Sequence, residues 1–371
     1  MTLHLLFAAG DVGGARAILP IAQQATSRGD QVSALAHGVF QAEGDEAWRW
    51  LDQSAACQIR PDALIYATSV SDPVAFQCAL AARAKNIPII HVLDNWSLYG
   101  ARLDGVDAAG NQQRLVPEVY AVMDDIALLG AQQDNVPDAI LRLTGHPGLA
   151  KLDAEKIELG GPDDTGLNIL FISEPACQDS GSHDAPDGRG YDEILVSDLF
   201  AQTLVTALSN SAENTPIELW IAPHPRENRA DVTIRWSILG DQIERLSQRR
   251  VKVGIVLPDG VRTALHRASH VVGMSSLLLY EAWLLERPTL SIQPYLRWPQ
   301  LFVIGQRKGV QLCRNKEDLL QMMQAWIEDR FPIGSGKLSC AVHKEAAQTI
   351  LNITSELALQ NMASDKKDKS R

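Results

Sequence analysis

The stretch 270–294 reads HVVGMSSLLLYEAWLLERPTLSIQP and contains one complete unit of the predicted fold. An apolar run at 270–273 has the character of a strand, and Ser275 and Ser276 precede a leucine-rich segment with helical composition. A second apolar run follows at 289–292. The order strand, turn, helix, strand is the repeating unit of a parallel sheet covered by helices.

The serine pair sits where a ligand could bind. Ser275 and Ser276 place two hydroxyls beside the free backbone N–H groups of a helix N-terminus, where the helix dipole favours an anion such as a phosphate. Glu281 is the one acidic side chain inside the following apolar helix, about one and a half turns from its start, within reach of the sugar hydroxyls of a nucleotide. An N-capped helix with one wet face fits the same residues, and this stretch alone leaves both interpretations open.

Length and composition limit the class of protein. A chain of 371 residues exceeds what one hydrophobic core usually covers, so two domains are expected. Hydrophobic residues make up 46% and charged residues 21%, as in globular proteins. The formal net charge of -11, without clusters of Lys and Arg, argues against a general nucleic-acid binder.

The sequence also predicts a cytoplasmic protein whose membrane association is at most peripheral. Residues 1–11 run into a glycine-rich turn, which favours a first strand over a signal peptide, and no apolar run approaches the length of a membrane span. Five cysteines, odd in number and without CxxC spacing, indicate neither a disulfide framework nor a zinc site. They are Cys57, Cys78, Cys177, Cys313 and Cys340.

Short apolar runs alternate with helical segments along the whole chain, which predicts an α/β fold with two doubly wound, Rossmann-like domains and a cleft between them. The first domain is expected at 1–158 and the second at 165–337, joined by a turn-forming linker at 159–164. A helix at 338–362 is expected to pack back on the first domain, followed by a disordered tail at 363–371. Strands are predicted at 3–8, 31–36, 63–67, 87–93, 118–123, 139–144, 167–173, 217–222, 252–257, 271–273, 289–292 and 310–313.

Two irregular segments and one helix complete the secondary-structure prediction. Residues 42–56 are predicted to form a helix, and 94–116 a polar loop. The segment 175–190 lacks apolar residues in its core and is long for a strand-to-helix connection, so it is expected to be either a lid or disordered.

Ligands of doubly wound sheets bind beyond the carboxyl ends of the strands, so the loops there are the candidate sites. After the first strand, the glycines Gly10, Gly13 and Gly14 allow close approach of the backbone to a substrate, and Asp11 could accept a proton. The loop lacks the P-loop ending and the GxGxxG spacing, so a tight turn capped by the aspartate also fits. Asp94, which closes a later strand, is a second candidate base.

A third loop carries Ala-Pro-His-Pro-Arg at 222–226. The two prolines restrict the backbone around His224, and the guanidinium of Arg226 can fork onto phosphate oxygens. We expect this loop and the serine pair to open on the same sheet edge and to bridge a phosphate or diphosphate.

These motifs, in this order, resemble nucleotide-sugar glycosyltransferases of the GT-B fold. The sequence contains the glycine loop, a Thr-Gly-His-Pro junction at 144–147, the Pro-His-Pro turn, and Ser-Ser followed by Glu-Ala and Arg-Pro. Within that fold the chain is similar to bacterial sialyltransferases and Kdo transferases, whose HP and SS motifs hold the donor phosphate. It is also similar to the UDP-N-acetylglucosamine 2-epimerase group through Ile-Pro-x-x-His-Val at 87–92.

The transferase resemblance implies His224, Ser275 and Ser276 at the donor phosphate, Glu281 at the ribose, and Asp11 as the base. It predicts an inverting transferase that moves a sugar from a nucleotide-sugar to a glycan or glycolipid hydroxyl in surface-polysaccharide synthesis. No Asp-x-Asp motif suggests a bound divalent metal, so the reaction is expected to be independent of a metal, and no cofactor is expected. Two departures from the epimerase pattern are Ala-Thr-Ser at 67–69 in place of an aspartate, and the serine pair in place of two glycines. The alternatives are a UDP-sugar 2-epimerase and a non-catalytic protein of the same fold.

Overall fold

A computed structural model of the chain describes residues 2–68, 72–162, 166–211, 216–298, 305, 307–328 and 342–369. These residues form two compact units. Unit 1 comprises Met1–Lys151 and Cys340–Arg371, and unit 2 comprises Leu152–Ser339.

Unit 1 is built on a parallel seven-stranded sheet with the order β3-β2-β1-β4-β5-β8-β9. Its strands read as continuous apolar runs, as in β1, because helices cover both faces of the sheet. A separate antiparallel pair, β6-β7, lies in the connection after β5. The strands are β1 His4–Ala8, β2 Gln31–Leu35, β3 Arg49–Leu51, β4 Ala63–Tyr66, β5 Ile89–Val92, β6 Asp104–Val106, β7 Gln112–Arg114, β8 Val119–Val122 and β9 Leu141–Leu143. The helices are α1 Val12–Ser27, α2 Gly38–Glu43, α3 Gln53–Gln58, α4 Val74–Arg83, α5 Asp125–Gln133 and, after unit 2 in the chain, α13 Ala346–Lys369.

Unit 2 repeats the plan with a parallel six-stranded sheet, β12-β11-β10-β13-β14-β15. Its strands are β10 Leu167–Ile172, β11 Ile217–Ala222, β12 Val251–Ile255, β13 His270–Gly273, β14 Thr289–Ile292 and β15 Val310–Cys313. Its helices are α6 Leu152–Leu159, α7 Ala176–Ser180, α8 Glu193–Ser209, α9 Arg229–Ser247, α10 Val261–Arg267, α11 Leu277–Leu284 and α12 Lys316–Ile327.

Aromatic side chains fill the core under one face of the second sheet. Phe171 on β10 packs against Phe200 on α8 and Trp236 on α9, with ring centroids 5.3 Å and 4.6 Å apart. All three are buried. Rings at these separations add to the stabilisation that comes from burying their area, so they fix the sheet whose strand ends carry the candidate loops.

The helix predicted at 42–56 is wrong. The chain instead forms α2, the short strand β3 beside β2, and α3. Gly44 ends α2, and Trp48 and Trp50 pack with Phe40 at centroid separations of 6.1 Å and 5.6 Å. Tertiary packing of the aromatic side chains therefore overrides the local helical pattern.

The predicted loops contain regular structure. The hairpin β6-β7 occupies part of 94–116, and 175–190 contains α7 and has internal hydrogen bonds. Within that segment, the backbone N–H and ring Nδ1 of His183 lie 2.8 Å and 2.7 Å from the carboxylate of Asp192.

The unit boundary differs from the predicted first domain of 1–158, because α6 falls in unit 2, where Glu155 pairs with Arg262 of α10. At the other end, α13 extends to Lys369, through most of the tail predicted to be disordered. No glycine or proline interrupts the sequence there. Ile350, Leu351 and Ala358 of this helix lie in the core of unit 1.

Candidate functional site

In unit 2 the strand order reverses between β10 and β13. The loops beyond the carboxyl ends of these two strands bound the crevice in which ligands of doubly wound sheets bind. The β10 loop contributes Glu174, and the β13 loop contributes Ser275 and Ser276. The serine pair of the stretch 270–294 therefore lies at the point of the fold best suited to a ligand.

An anion already lies at the N-terminus of α11. The backbone N–H of Ser275 donates to Oε1 of Glu174 at 2.5 Å, and its hydroxyl donates to Oε2 at 2.7 Å. Ser276 is the N-cap residue, and its Oγ accepts a hydrogen bond from the Leu278 N–H at 3.3 Å. We call Glu174, Ser275 and Ser276 the α11 anion site. Its donors satisfy a carboxylate here, and they are of the kind that hold phosphates at helix N-termini.

His224 lies in the loop after β11, the neighbour of β10. Its Nδ1 accepts a hydrogen bond from the Arg226 N–H at 3.2 Å, so the proton of the neutral ring is on Nε2. Burial, followed by the charge of Arg226, lowers the pKa of His224. At neutral pH the ring is therefore uncharged and offers Nε2–H as a hydrogen-bond donor.

A chain of charged groups links the loops after β10 and β11. Arg226 forms a two-pronged pair with Asp179 of α7 at 2.6 Å and 3.0 Å. Arg189 lies 3.3 Å from Asp179 and 4.0 Å from Glu174. Burial opposes ionisation of Asp179, but the hydrogen bonds and charge of Arg226 outweigh it and lower the pKa of that carboxyl. The guanidinium of Arg189 thus lies beside Glu174 of the α11 anion site, and that of Arg226 is linked to it through Asp179.

Glu281 is placed differently from the open, ribose-binding carboxylate that the sequence predicts. Its side chain is fully buried, and Oε2 pairs with Arg262. Arg262 also pairs with Glu155, so the carboxylate ties α11 to α10 and α6. Breaking an ion pair between a buried carboxylate and an arginine is energetically costly, because it leaves an uncompensated charge in the protein interior.

In unit 1 the glycine loop follows β1, beside the reversal of strand order between β1 and β4. Asp11 is the N-cap residue of α1, and its Oδ1 accepts a hydrogen bond from the Gly14 N–H at 2.8 Å. The side chain is partly exposed, so it caps the helix and remains accessible. A Cβ on Gly13 would come within 2.3 Å of Oδ2 of Asp94, so this glycine allows α1 to contact that carboxylate.

Asp94 differs from the predicted open base. Only 7% of the residue is exposed, and its Oδ1 lies 2.6 Å from Nη1 of Arg102. Burial raises the pKa of Asp94, the charge of Arg102 opposes this, and nearby Asp11 adds to the rise. Arg102 in turn donates to the carbonyl oxygen of Thr68 at 2.9 Å. The pair therefore anchors the loop after β5.

Two general features of the described residues bear on function. No group of three or more His, Cys, Asp or Glu side chains among them is arranged to hold a metal ion. None of the helices in the described ranges combines the length and apolar content that crossing a bilayer requires.

Comparison with known proteins shows a likeness in fold. No protein-family model and no curated protein sequence matches the chain. Among solved structures it is similar to a Listeria monocytogenes protein assigned as a UDP-N-acetylglucosamine 2-epimerase, with a TM-score of 0.63, 13% identity and 95% of both chains covered. It is also similar to the UDP-GlcNAc 2-epimerase of Neisseria meningitidis bound to UDP-GlcNAc, with a TM-score of 0.60, 12% identity, and 97% and 100% of the two chains covered. For Acinetobacter baumannii MurG the TM-score is 0.57, the identity 14%, and the covered shares 95% and 99%.

The chain has the GT-B fold. The prediction of two Rossmann-like domains in series is thereby confirmed. Two of the three similar structures named above are described as UDP-N-acetylglucosamine 2-epimerases, and none of the three as a sialyl or Kdo transferase. At these identities they establish the fold alone.

The contacts in the structure also bring forward residues that were not among the sequence-predicted site residues. Glu174 directly follows the strand predicted at 167–173, and this position at a strand end is the sequence signal that could have identified it as a candidate site residue. In unit 1, Nε2 of His37, after β2, lies 2.6 Å from Oδ2 of Asp72, which precedes α4. A Cβ on Gly10 would come within 2.2 Å of that carboxylate oxygen, so the pair lies against the glycine loop. Its members are 35 residues apart, and no local pattern connects them.

Proposed function

We propose that the protein is an enzyme that binds a UDP-sugar in unit 2, with the diphosphate in the α11 anion site. The observation that carries this proposal is the carboxylate of Glu174, an anion held by a backbone N–H and a hydroxyl at the switch point of the sheet. A diphosphate has more charge and more acceptor oxygens than a carboxylate, so it can take the same donors. The Neisseria meningitidis epimerase, which has this fold, is described with UDP-GlcNAc bound.

The proposed donor contacts follow from the geometry of the loops. Ser275 and Ser276 supply the hydroxyls, and the Nε2–H of His224 supplies a neutral donor. Arg226 would exchange its exposed pair with Asp179 for a phosphate, a change that costs little because surface ion pairs are weak. Glu281 would act indirectly in this arrangement, by holding Arg262.

For the reaction we favour epimerisation at C2 of the sugar. This chemistry removes the C2 proton and breaks the bond from C1 to the diphosphate, and it then returns a proton to the opposite face of C2 and the diphosphate to C1. It therefore needs a base and a site that stabilises the departing anion. The α11 anion site and His224 are suited to stabilising the departing diphosphate. The similarity in fold to two proteins described as 2-epimerases supports this choice.

Glycosyl transfer is the second candidate, and the partly exposed carboxylate of Asp11 in the glycine loop favours it. A base at that position could take the proton of an acceptor hydroxyl, with the same donor contacts in unit 2. Asp94 is the weaker candidate base because it is buried against Arg102.

Incubation with UDP-N-acetylglucosamine alone in deuterium oxide separates the reactions. An epimerase incorporates deuterium at C2 and forms the 2-epimer, both observed by proton NMR, without any acceptor. A transferase leaves C2 unlabelled and releases UDP only when an acceptor is supplied. UDP should raise the melting temperature, because a ligand that binds only the native state stabilises it by mass action.

The site assignment is checked with Ser275→Ala and His224→Ala. Each removes a proposed donor to the diphosphate, so each should weaken UDP binding about tenfold or more, equivalent to ~1.4 kcal/mol. Circular dichroism should show an unchanged fold. If both variants bind UDP as tightly as the parent chain, the diphosphate is not held at the α11 anion site.

A further inference from the structure

Two cysteines that are far apart in the sequence meet in unit 1. Cys57 lies near the end of α3 and Cys78 in the middle of α4, and their sulfurs are 3.8 Å apart. Cys57 is partly exposed, whereas Cys78 is buried, with 1% of its surface accessible. The thiol of Cys57 is therefore accessible to a small reagent from solvent, whereas the adjacent thiol of Cys78 is not.

The surroundings make the two thiols chemically different. The hydrogen bond with Cys78 lowers the pKa of Cys57 to about 7, with burial opposing and the charge of Lys85 assisting. The hydrogen bond with Cys57, together with burial, raises the pKa of Cys78. The thiolate, which is the reactive form of cysteine, is therefore favoured at Cys57 over Cys78.

Lys85 is held in place independently of the thiols. Its ammonium group donates to the carbonyl oxygens of Cys57 and Ile59, the latter at 3.1 Å. The cation is therefore fixed beside the end of α3, where it favours negative charge on the Cys57 sulfur.

We propose that Cys57 and Cys78 form an oxidation site, in which Cys57 reacts first with a peroxide and Cys78 then closes a disulfide. The thiolate of Cys57 attacks one oxygen of hydrogen peroxide and becomes a sulfenic acid, and the other oxygen leaves as water after taking up a proton. The Cys78 sulfur then attacks the Cys57 sulfur, and the hydroxyl leaves as a second water. In total, two thiols and one peroxide yield one disulfide and two waters, with the peroxide reduced and both sulfurs oxidised.

The required movement is small. A disulfide bond is about 2 Å long, so the sulfurs must approach by roughly 1.8 Å, which side-chain rotation and a slight shift of the short helix α3 can supply. The bond would join α3 to α4. Helix α4 starts just after Asp72, whose Oδ1 accepts a hydrogen bond from the Val74 N–H at 3.1 Å and whose Oδ2 contacts His37. Oxidation therefore stiffens the element that positions the His37–Asp72 pair.

The test exposes the full-length reduced protein to a small excess of hydrogen peroxide, blocks the remaining thiols with iodoacetamide, and maps the peptides by mass spectrometry. We expect a cross-linked pair of peptides containing Cys57 and Cys78, which dithiothreitol reverses. Cys177 is the internal control, because it is partly exposed like Cys57 while burial, followed by the charges of Glu193 and Asp192, raises its pKa.

Two variants make the order of events testable. In Cys78→Ala, the sulfenic acid should persist at Cys57 and be trapped by dimedone. The pH at which iodoacetamide alkylation of Cys57 is half-maximal should be higher than in the parent chain, because the hydrogen bond with Cys78 is lost. In Cys57→Ser, Cys78 should stay unmodified. The proposal is overturned if the parent chain forms no Cys57–Cys78 cross-link, or if Cys57 reacts no faster than Cys177.

Discussion

At the scale of single residues, Glu174 has the charge that decides how the α11 anion site behaves. Its carboxylate uses the donors that a phosphate would need, so bound UDP must displace it. Glu174→Gln keeps the size and one acceptor oxygen while removing the negative charge. We expect this variant to bind UDP about tenfold more tightly, a gain of ~1.4 kcal/mol.

The matched control is Asp241→Asn, which removes one negative charge from an exposed position on α9. It should leave the affinity for UDP unchanged, because screening by salt weakens the effect of distant surface charges. Isothermal titration calorimetry of the parent chain and both variants compares the three dissociation constants. Unchanged or weaker binding by Glu174→Gln would contradict competition between carboxylate and phosphate.

The residue scale is also where sequence reasoning reached its limit. Ser275 and His224 could be selected because each directly follows a strand, and strand ends are set by local pattern. Asp94 was selected in the same way and Glu281 as the one acidic side chain in its helix, yet each is buried against an arginine, Arg102 or Arg262. Ion pairs of this kind depend on side chains brought together by the tertiary fold, so no spacing rule in the sequence could reveal them.

At the scale of elements, the segment 175–190 depends on one carboxylate. Asp192 caps α8 by accepting a hydrogen bond from the Leu195 N–H at 2.7 Å, and it also accepts from the backbone N–H and Nδ1 of His183. Asp192→Ala removes the helix cap and these contacts, and it should lower the free energy of unfolding by about 1–2 kcal/mol. Asp187→Ala, an exposed position in the same segment, should have little effect.

The His183 contact also makes a pH-dependent contribution. The hydrogen bond with Asp192 raises the pKa of His183 in the folded state. Stabilisation by the protonated ring is therefore complete below the unfolded pKa of about 6.5 and is lost as the pH rises through the higher folded value. Urea unfolding at about pH 6 and about pH 9 should show a larger difference between the parent chain and His183→Gln at the lower pH. An equal difference at both values would contradict this coupling.

At the scale of the whole molecule, the alternation of apolar runs and helical segments predicted the two Rossmann-like domains. A strand that is apolar along its whole length must be covered on both faces, and in a parallel sheet helices provide that cover. The same pattern failed at 42–56, where Trp48 and Trp50 pack with Phe40 and Gly44 ends the helix. It also could not locate the unit boundary. Helix α6 belongs to unit 2 because of Glu155, whose partner Arg262 is more than 100 residues away.

Unit 1 is assembled from both ends of the chain, so a substitution in α13 can test whether the two units unfold separately. Leu351 of α13 is fully buried in the core of unit 1, whereas Leu359 on the same helix is 49% exposed. Leu351→Ala leaves a cavity and should destabilise unit 1 by about 2–5 kcal/mol, whereas Leu359→Ala makes the same chemical change at a surface position and should cost little.

Hydrogen exchange followed by mass spectrometry can assign the effect to a unit. Amides of β1 and α1 should exchange faster in Leu351→Ala, while those of β10 and α8 keep their parental rates, because Leu351 lies in the same core cluster as residues of β1 and α1. Equal acceleration in both units would show that they unfold as one cooperative body.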